Sequence, residues 1–508
     1  MRAPELKQCV PLAAWIAVIV TLLCVAGKII GYGFLPQDDA LRHAAKAVSG
    51  KPWSEILVLR DGFIMDPHPG WHAILGLMHR WLGCNAETLV VLPVAGLMIL
   101  FSLAALAWLR WPESWLGALL AAAIFSPVFI GRLALGRPYI FTMAVYLVLL
   151  VMWARLGERR PRLREILTTL FLIAAAAWIH GSFYQLILPA AGLLLAGRWR
   201  QAFRYGALGA AGSFLGAAFT GHPWLFLEQC VRHLSGVFGD YALTNQLVFE
   251  LMPTDGEGAM ALAVIAMLLW RARDPDWKAR DLAEPIFMMG LLGWLLGLKV
   301  GRFWWDWGLP ATLLWLALEL EKQFERYAGF DSGKRLLVTL GLAAGVFLGM
   351  TSDRGSRWTW NAAKQYLTQN DPVLAGWLPE SGGIIYSVDM TVFNDTFFKN
   401  PAAPWRYVLG FESALMRPED LAVARKVQWN FGDLRAYEPW VKKMRRQDRL
   451  IIPASWLPTS GPARTVASIP ELEWFHAPND WWIGRLGKMT NDARMSNDKI
   501  PMTNQWGK

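Results

Sequence analysis

Long apolar stretches recur from Val10 to about Ser352 and are separated by short polar loops. Each is close to the ~20 residues that a helix needs to cross the hydrocarbon core of a bilayer. Spans are expected to begin near Val10, Leu89, Ser114, Arg137, Glu165, Ser182, Tyr205, Ala259, Pro285, Trp307 and Leu336, about 11 in all. Two of them share only Glu165 to Trp199, which is tight for two crossings and also suits a re-entrant pair. Beyond Ser352 the pattern turns polar. The expected fold class is therefore mainly α: a polytopic membrane helical bundle over 1–352, followed by an extracytoplasmic soluble α/β domain over 353–508.

Charge sets the orientation. RLGERRPRLRE (155–165), RWRQAFR (198–204), RARDPDWKAR (271–280) and EKQFERYAGFDSGKRL (321–336) are rich in Lys and Arg, while the alternate loops are poor in them. Basic loops stay cytoplasmic. The N-terminus, with Arg2 and Lys7, then lies inside and the C-terminal domain outside a plasma (inner) membrane. The first span lacks a small-residue cleavage site and reads as a retained anchor.

Composition agrees with a membrane part joined to a soluble part: 54% of residues are hydrophobic, yet mean hydropathy is only +0.28. The net charge of +10 sits largely in the orienting loops, and no basic-aromatic module points to nucleic acid. The four cysteines, Cys9, Cys24, Cys84 and Cys230, show no CxxC spacing. Only Cys84 and Cys230 share the outer side, where they could pair.

The outer loops carry the candidate chemistry. The first, 34–87, opens with PQDDALRHAAKAV, in which Leu41, Ala44, Ala45 and Val48 share one helical face and Asp38, Arg42 and Lys46 another. That pattern predicts an amphipathic helix on the membrane surface. An aspartate is a good N-cap, but capping does not need both Asp38 and Asp39. Arg132 and Arg137 bracket GRLALGRPYIF, and Lys299 and Arg302 lie in LGLKVGRFWWDWGLP. Cations at membrane depth either snorkel to the interface or face a polar cavity, and clustering on the outer side favours a bound anion. His180 and Tyr184, in WIHGSFYQ, are candidate substrate contacts. So are Asp66, His68 and His72 in MDPHPGWH, where Pro67 and Pro69 impose loop geometry and no second cluster completes a metal site.

In this order, these pieces resemble the C-type (GT-C) membrane glycosyltransferases over roughly residues 10–350. PQDDALRHAAKA matches the family's acidic pair and amphipathic helix, and HPGWHAILGLMHRWLG the helix that follows. GRPYIF and GRFWWDWGLPATLLWLALELE are similar to its Arg-containing outer turns and late helix. The resemblance implies transfer of a sugar from a polyprenyl-phosphate donor to a glycan, lipid or protein acceptor outside the cytoplasm, with inversion at the anomeric carbon. It implies Asp38 as the base, with Asp39 as its helper or as a metal ligand. Arg137 and Arg302 would contact the donor phosphate, with Arg132, Lys299 and His180 behind them. No cofactor is firmly implied, although a divalent cation such as Mg or Mn is compatible. Rival readings are a ligase or polymerase of lipid-linked glycans, a transporter or flippase of lipid-linked sugars, and a non-catalytic assembly subunit; membrane lipids are partners in each. The absence of an evident internal repeat, and the gathering of polar candidates on one face, favour the enzyme.

In the tail, GGIIYSVDM (382–390), WRYVLGF (405–411) and DRLIIPASW (448–456) read as strands. PEDLAVARKVQW (418–429) and LRAYEPWVKKMRRQ (434–447) read as helices, and the sheet is expected to be partly parallel. Trp405, Trp440, Trp456, Trp474, Trp481 and Trp482 are available to stack on sugars or to fill a core. This domain is expected to help select the acceptor.

Overall fold

The computed structural model describes residues 3–37, 39–63, 65–239, 249–274, 277–278, 282–326, 332–430, 433–457 and 462–487. Among them, five helices are long and apolar enough to cross a membrane: Val10–Gly31, Thr88–Leu106, Tyr139–Leu156, Leu163–His180 and Gly333–Thr351. Leu12, Ile16, Leu163, Phe171, Leu337 and Leu348 on these helices are exposed apolar side chains. Water would penalise such a surface, whereas lipid does not.

The remaining crossings depart from straight spans. Pro112–Phe125 and Pro127–Leu133 form a pair bent by 113°. Pro127 offers no N–H and disfavours helical geometry at the residue before it, and Ser126 accordingly leaves the helix at φ −142°, ψ 63°. After His180 the chain makes a 3-10 turn, Phe183–Ile187, and a short helix, Leu188–Leu195. Gly258–Arg271 and Pro285–Gly297 have 14 and 13 residues, less than a full crossing. Five helices, or six with the bent pair, therefore meet the length and composition of a span among the described residues, where the sequence pattern gave about 11.

The late helix begins as Gly301–Phe303, passes through a π turn at Trp304–Gly308 and continues as Leu309–Arg326. Single π turns inside helices rotate side chains out of the regular register and recur at functional sites. A Cβ on Gly293 would collide with Gly308, so two glycines let the neighbouring helix press directly on this turn.

The C-terminal part holds a five-stranded sheet: β1 Ile384–Tyr386, β2 Arg406–Tyr407, β3 Arg449–Pro453, β4 Leu472–Ala477 and β5 Trp481–Leu486, in the order β2-β1-β3-β5-β4. β1 runs parallel to β2 and to β3, and β5 antiparallel to β3 and β4. The mixed sheet and the helix Pro418–Trp429 agree with the sequence pattern, while the β4–β5 hairpin was not anticipated. Residues 34–87 join this unit. Leu57 bridges to Tyr407 and Leu59 to Met416, and Trp53, Ile56 and Leu57 share a core with Phe393, Phe397 and Trp405.

Two expectations need correction. The helix Asp39–Ser49 does not lie open on a membrane surface; it packs between Pro69–Leu82 and Met390–Lys399, with Arg42 and His43 buried on its polar side. Trp405, Trp440 and Trp481 are core residues, and Trp456, Trp474 and Trp482 are partly buried against the core, so these six do not form a sugar-stacking surface.

Candidate active site

The structural departures above converge on one cavity of about 860 Å³. The bend at Pro127 brings in Arg132, the start of Pro138–Leu156 brings in Arg137, and the helix before the π turn brings in Arg302. Asp39, Arg42 and His43 enter from the first-loop helix, His68 from the following loop and His180 from the end of its span. Val128, Leu135, Ile187, Leu188 and Phe303 supply an apolar wall, and the C-terminal unit closes the cavity with Thr391, Asn394, Phe411 and Glu412.

One wall is an alternating lattice of charges. Arg132 contacts Asp306 at 2.6 Å and Glu250 at 3.1 Å, Arg137 contacts Glu250 at 2.6 Å, and Arg302 contacts Asp306 at 3.1 Å and Glu250 at 3.9 Å. Arg132, Glu250 and Asp306 are 6%, 7% and 1% exposed, so these pairs interact with little screening by water. Burial alone would push the Glu250 carboxyl up; Arg132, Arg137 and Arg302 outweigh it and hold it well below the ordinary carboxylate range. Asp39 accepts a hydrogen bond from Arg42 Nε at 2.7 Å and lies 3.8 Å from Arg137. Arg42 also lies over the Phe411 ring, 4.0 Å from its centroid, which ties this helix to the C-terminal unit.

A clamp holds the bent helix and the π turn together. Glu257 accepts hydrogen bonds from Ser126 Oγ at 2.7 Å, Trp304 Nε1 at 2.8 Å and Trp305 Nε1 at 3.1 Å. Removing the acceptor leaves three donors without it, each costing about 1–3 kcal/mol if buried and unpaired. Glu257→Ala is accordingly expected to lower the thermal unfolding midpoint in detergent and to weaken binding of a lipid phosphate, although Glu257 does not line the cavity. Unchanged behaviour of both would assign the geometry of the bend to Pro127 alone.

The histidines form a second network. Asp66 Oδ2 is 2.5 Å from His72 Nδ1, and His72 Nε2 is 2.8 Å from His43 Nδ1. Gly181, at φ +41°, packs so closely on Pro67 that a Cβ would strike the Pro67 carbonyl, which keeps the His68 loop against the end of the His180 helix. On the other side, His233 pairs with Glu412 at 2.6 Å; burial would lower the imidazole, but Glu412 outweighs it and holds it above its ordinary value.

Of the residues singled out from sequence, Asp39, Arg132, Arg137, His180, Tyr184, His68 and Arg302 line the cavity together. Asp66 and His72 stand behind His43 rather than in the lining. Lys299 is exposed and outside the lining. Asp38 lies outside the described residues. The Asp66–His68–His72 group does not suit a metal, because both ring nitrogens of His72 are engaged. Among the described residues of the lining, Asp39, Glu250 and Glu412 are each engaged by a cationic or histidine partner, and no group of three or more His, Cys, Asp or Glu is arranged to hold a metal ion. Sequence reasoning missed His43, Glu250 and Asp306. The signals for the last two were acids set in apolar runs, VFELM and FWWDWG, where an unpaired charge would be costly.

No family model and no curated protein matches the chain. Solved structures do. The oligosaccharyltransferase of Archaeoglobus fulgidus in its apo form aligns at a TM-score of 0.54 and 10% identity over 94% of this chain and 74% of that one. AglB from the same organism, in complex with an inhibitory peptide and a dolichol-phosphate, aligns at 0.52 and 11% over 96% and 75%. ArnT from Cupriavidus metallidurans, bound to undecaprenyl phosphate, aligns at 0.54 and 13% over 94% and 97%. The chain has the GT-C fold that these proteins share, as the resemblance in its sequence implies.

Proposed function

We propose that this chain is an integral-membrane glycosyltransferase that moves a sugar from a polyprenyl-phosphate carrier to a hydroxyl-bearing glycan or lipid, or to a protein acceptor. One observation carries the reading. Among the described residues, Arg42, Arg132, Arg137, Arg302 and Arg357 line the cavity together with the carboxylates Asp39, Glu250 and Glu412. The guanidiniums of Arg137 and Arg302 stand in that lining beside an apolar wall of Val128, Leu135, Ile187, Leu188 and Phe303. A phosphate with a hydrocarbon tail matches both halves of that cavity. The fold neighbours were solved with dolichol-phosphate and undecaprenyl phosphate, which supports the same class of carrier.

In this reading Arg137 and Arg302, with Arg132 behind them, hold the donor phosphate and stabilise the charge that grows on it as the carrier departs. Asp39 stands on the acceptor side in this reading, and the C-terminal unit closes that side and helps to choose the acceptor. In this reading the cavity opens to the extracytoplasmic side, which the distribution of basic loops supports. A transporter would place its polar site midway between two repeats, and no such repeat is evident.

The test is transfer from radiolabelled polyprenyl-phosphate sugars by purified protein in lipid, with a membrane extract as acceptor and lipid-phosphate binding measured alongside. Arg302→Ala removes a charged hydrogen-bond donor worth about 1.5–3 kcal/mol, so its binding is expected to weaken roughly 10- to 100-fold. Wild-type binding by that variant would take Arg302 out of the donor site, and a wild type inert with every monophosphate donor but active on diphosphate-linked oligosaccharides would shift the reading to a ligase.

A further inference from the structure

Asp39 is not the only basic group beside the arginine wall. His43 lines the cavity, and its Nδ1 is taken by His72 Nε2 at 2.8 Å. His72 Nδ1 in turn lies 2.5 Å from Asp66 Oδ2. A carboxylate can only accept here, so His72 Nδ1 carries the proton and its Nε2 is a lone pair. That lone pair accepts from His43 Nδ1–H, which leaves His43 Nε2 as an unprotonated base. One carboxylate thus fixes the tautomers of two imidazoles.

We propose that His43 is the group that takes the acceptor's proton, with His72 and Asp66 as positioning residues that hold its tautomer and stabilise the resulting cation. The proposal rests on the sugar-transfer reading and deepens it. In the step, the acceptor oxygen forms its bond to the anomeric carbon with its own electron pair. The bond from that carbon to the phosphate oxygen breaks, and its pair leaves on the polyprenyl phosphate facing Arg137 and Arg302. The acceptor proton passes to His43 Nε2, while the Nδ1 proton shifts toward His72 and the charge is balanced by Asp66. Return of the proton to water resets the chain.

The surroundings fit this role. His43 and Arg42 are 1% and 2% exposed. Burial, followed by Arg42, His68, His72 and His180, holds the His43 imidazole well below its ordinary value, so it rests unprotonated at neutral pH and the cation formed in the step depends on His72 and Asp66 for stabilisation. Burial would raise Asp66, but His72 and the His68 backbone N–H outweigh it and keep it ionised. Lys46 faces His72 from the helix that carries His43. The other helix packed on that side, Met390–Lys399, brings Asp395, which is closed off by Lys364 at 2.5 Å.

The experiment compares wild type, His43→Gln, His43→Ala, Asp66→Asn and Asp38→Asn in lipid, measuring kcat against pH, lipid-phosphate binding, and rescue of His43→Ala by added imidazole. His43→Gln is expected to lose about 10²- to 10⁴-fold in kcat with donor binding retained. The acid limb of the wild-type profile should vanish in that variant, and imidazole should restore part of the rate to His43→Ala. Asp66→Asn should fall at least 10-fold, because it removes the negative end of the chain. If His43→Gln keeps the wild-type rate and acid limb while Asp38→Asn is inactive, the proton goes to a carboxylate and the relay is overturned, with sugar transfer intact. If the wild type transfers nothing from any donor, the transferase reading falls and takes the relay with it.

Discussion

Asp39→Asn is expected to slow sugar transfer about 10²- to 10³-fold while leaving the lipid phosphate bound. The Asp39 carboxylate joins two functions at the first turn of its helix: it anchors Arg42 at 2.7 Å and lies 3.8 Å from Arg137, which is itself tied to Glu250. An amide keeps the shape but offers no charge to either guanidinium, so Arg42 and the helix bearing His43 lose their link to the donor wall. Small displacements of a reacting group are enough for a loss of this size. A double-mutant cycle with Arg137→Lys checks the mechanism. If Asp39 works through Arg137, the two changes together cost much less than the sum of their separate effects; strict additivity would leave Asp39 acting on the acceptor alone. Asp38→Asn in the same assay separates the two members of the pair.

The acidic pair also shows how far the sequence could be read. Composition, the apolar runs and the ordered motifs were enough for a membrane bundle with a small mixed α/β unit, because burial and backbone satisfaction in lipid are properties of local sequence. They were also enough to gather Asp39, Arg132, Arg137, His180 and Arg302, since each is a charged or titratable group where hydrocarbon would penalise it. Periodicity could not show which spans break. The 113° bend at Pro127 and the π turn at Trp304–Gly308 lie inside apolar runs; Pro127 is a local signal for the first, but how far each departs from a straight helix depends on packing against distant residues such as Glu257 and Gly293.

The first-loop helix was misread for a related reason. Its polar face has the residue pattern of a solvated surface, and only the later chain, folding back through Leu57 and Leu59 onto the C-terminal sheet, buries it. His43 went unnoticed on that face because its partners, His72 and Asp66, lie 29 and 23 positions along the chain. The β4–β5 hairpin was missed because its strands mix Trp, His and Glu without clean alternation; the Asn-Asp pair before Trp481, with Asp480 at φ +63°, was the available turn signal.

Glu250→Gln is expected to destabilise the protein by about 3–5 kcal/mol, the usual cost of removing one partner from a buried charge network. Glu250 touches Arg132, Arg137 and Arg302, and without its charge Asp306 must balance Arg132 and Arg302 while Asp39, at 3.8 Å, is left near Arg137. The pH dependence has a definite sign. The carboxyl is depressed in the folded protein, so its contribution is fully present above the pKa of the unfolded chain and is lost as pH falls through the folded value. The gap between wild type and variant should therefore stay constant at neutral pH and close only in acid. Lipid phosphate distinguishes a binding site from a purely structural cluster. If the arginines are there to hold an anion, polyprenyl phosphate replaces part of the missing charge and raises the unfolding midpoint of Glu250→Gln by more than that of wild type. Equal shifts would mean that the anion binds elsewhere, and an unchanged midpoint in the variant without lipid would mean that the three guanidiniums do not depend on Glu250.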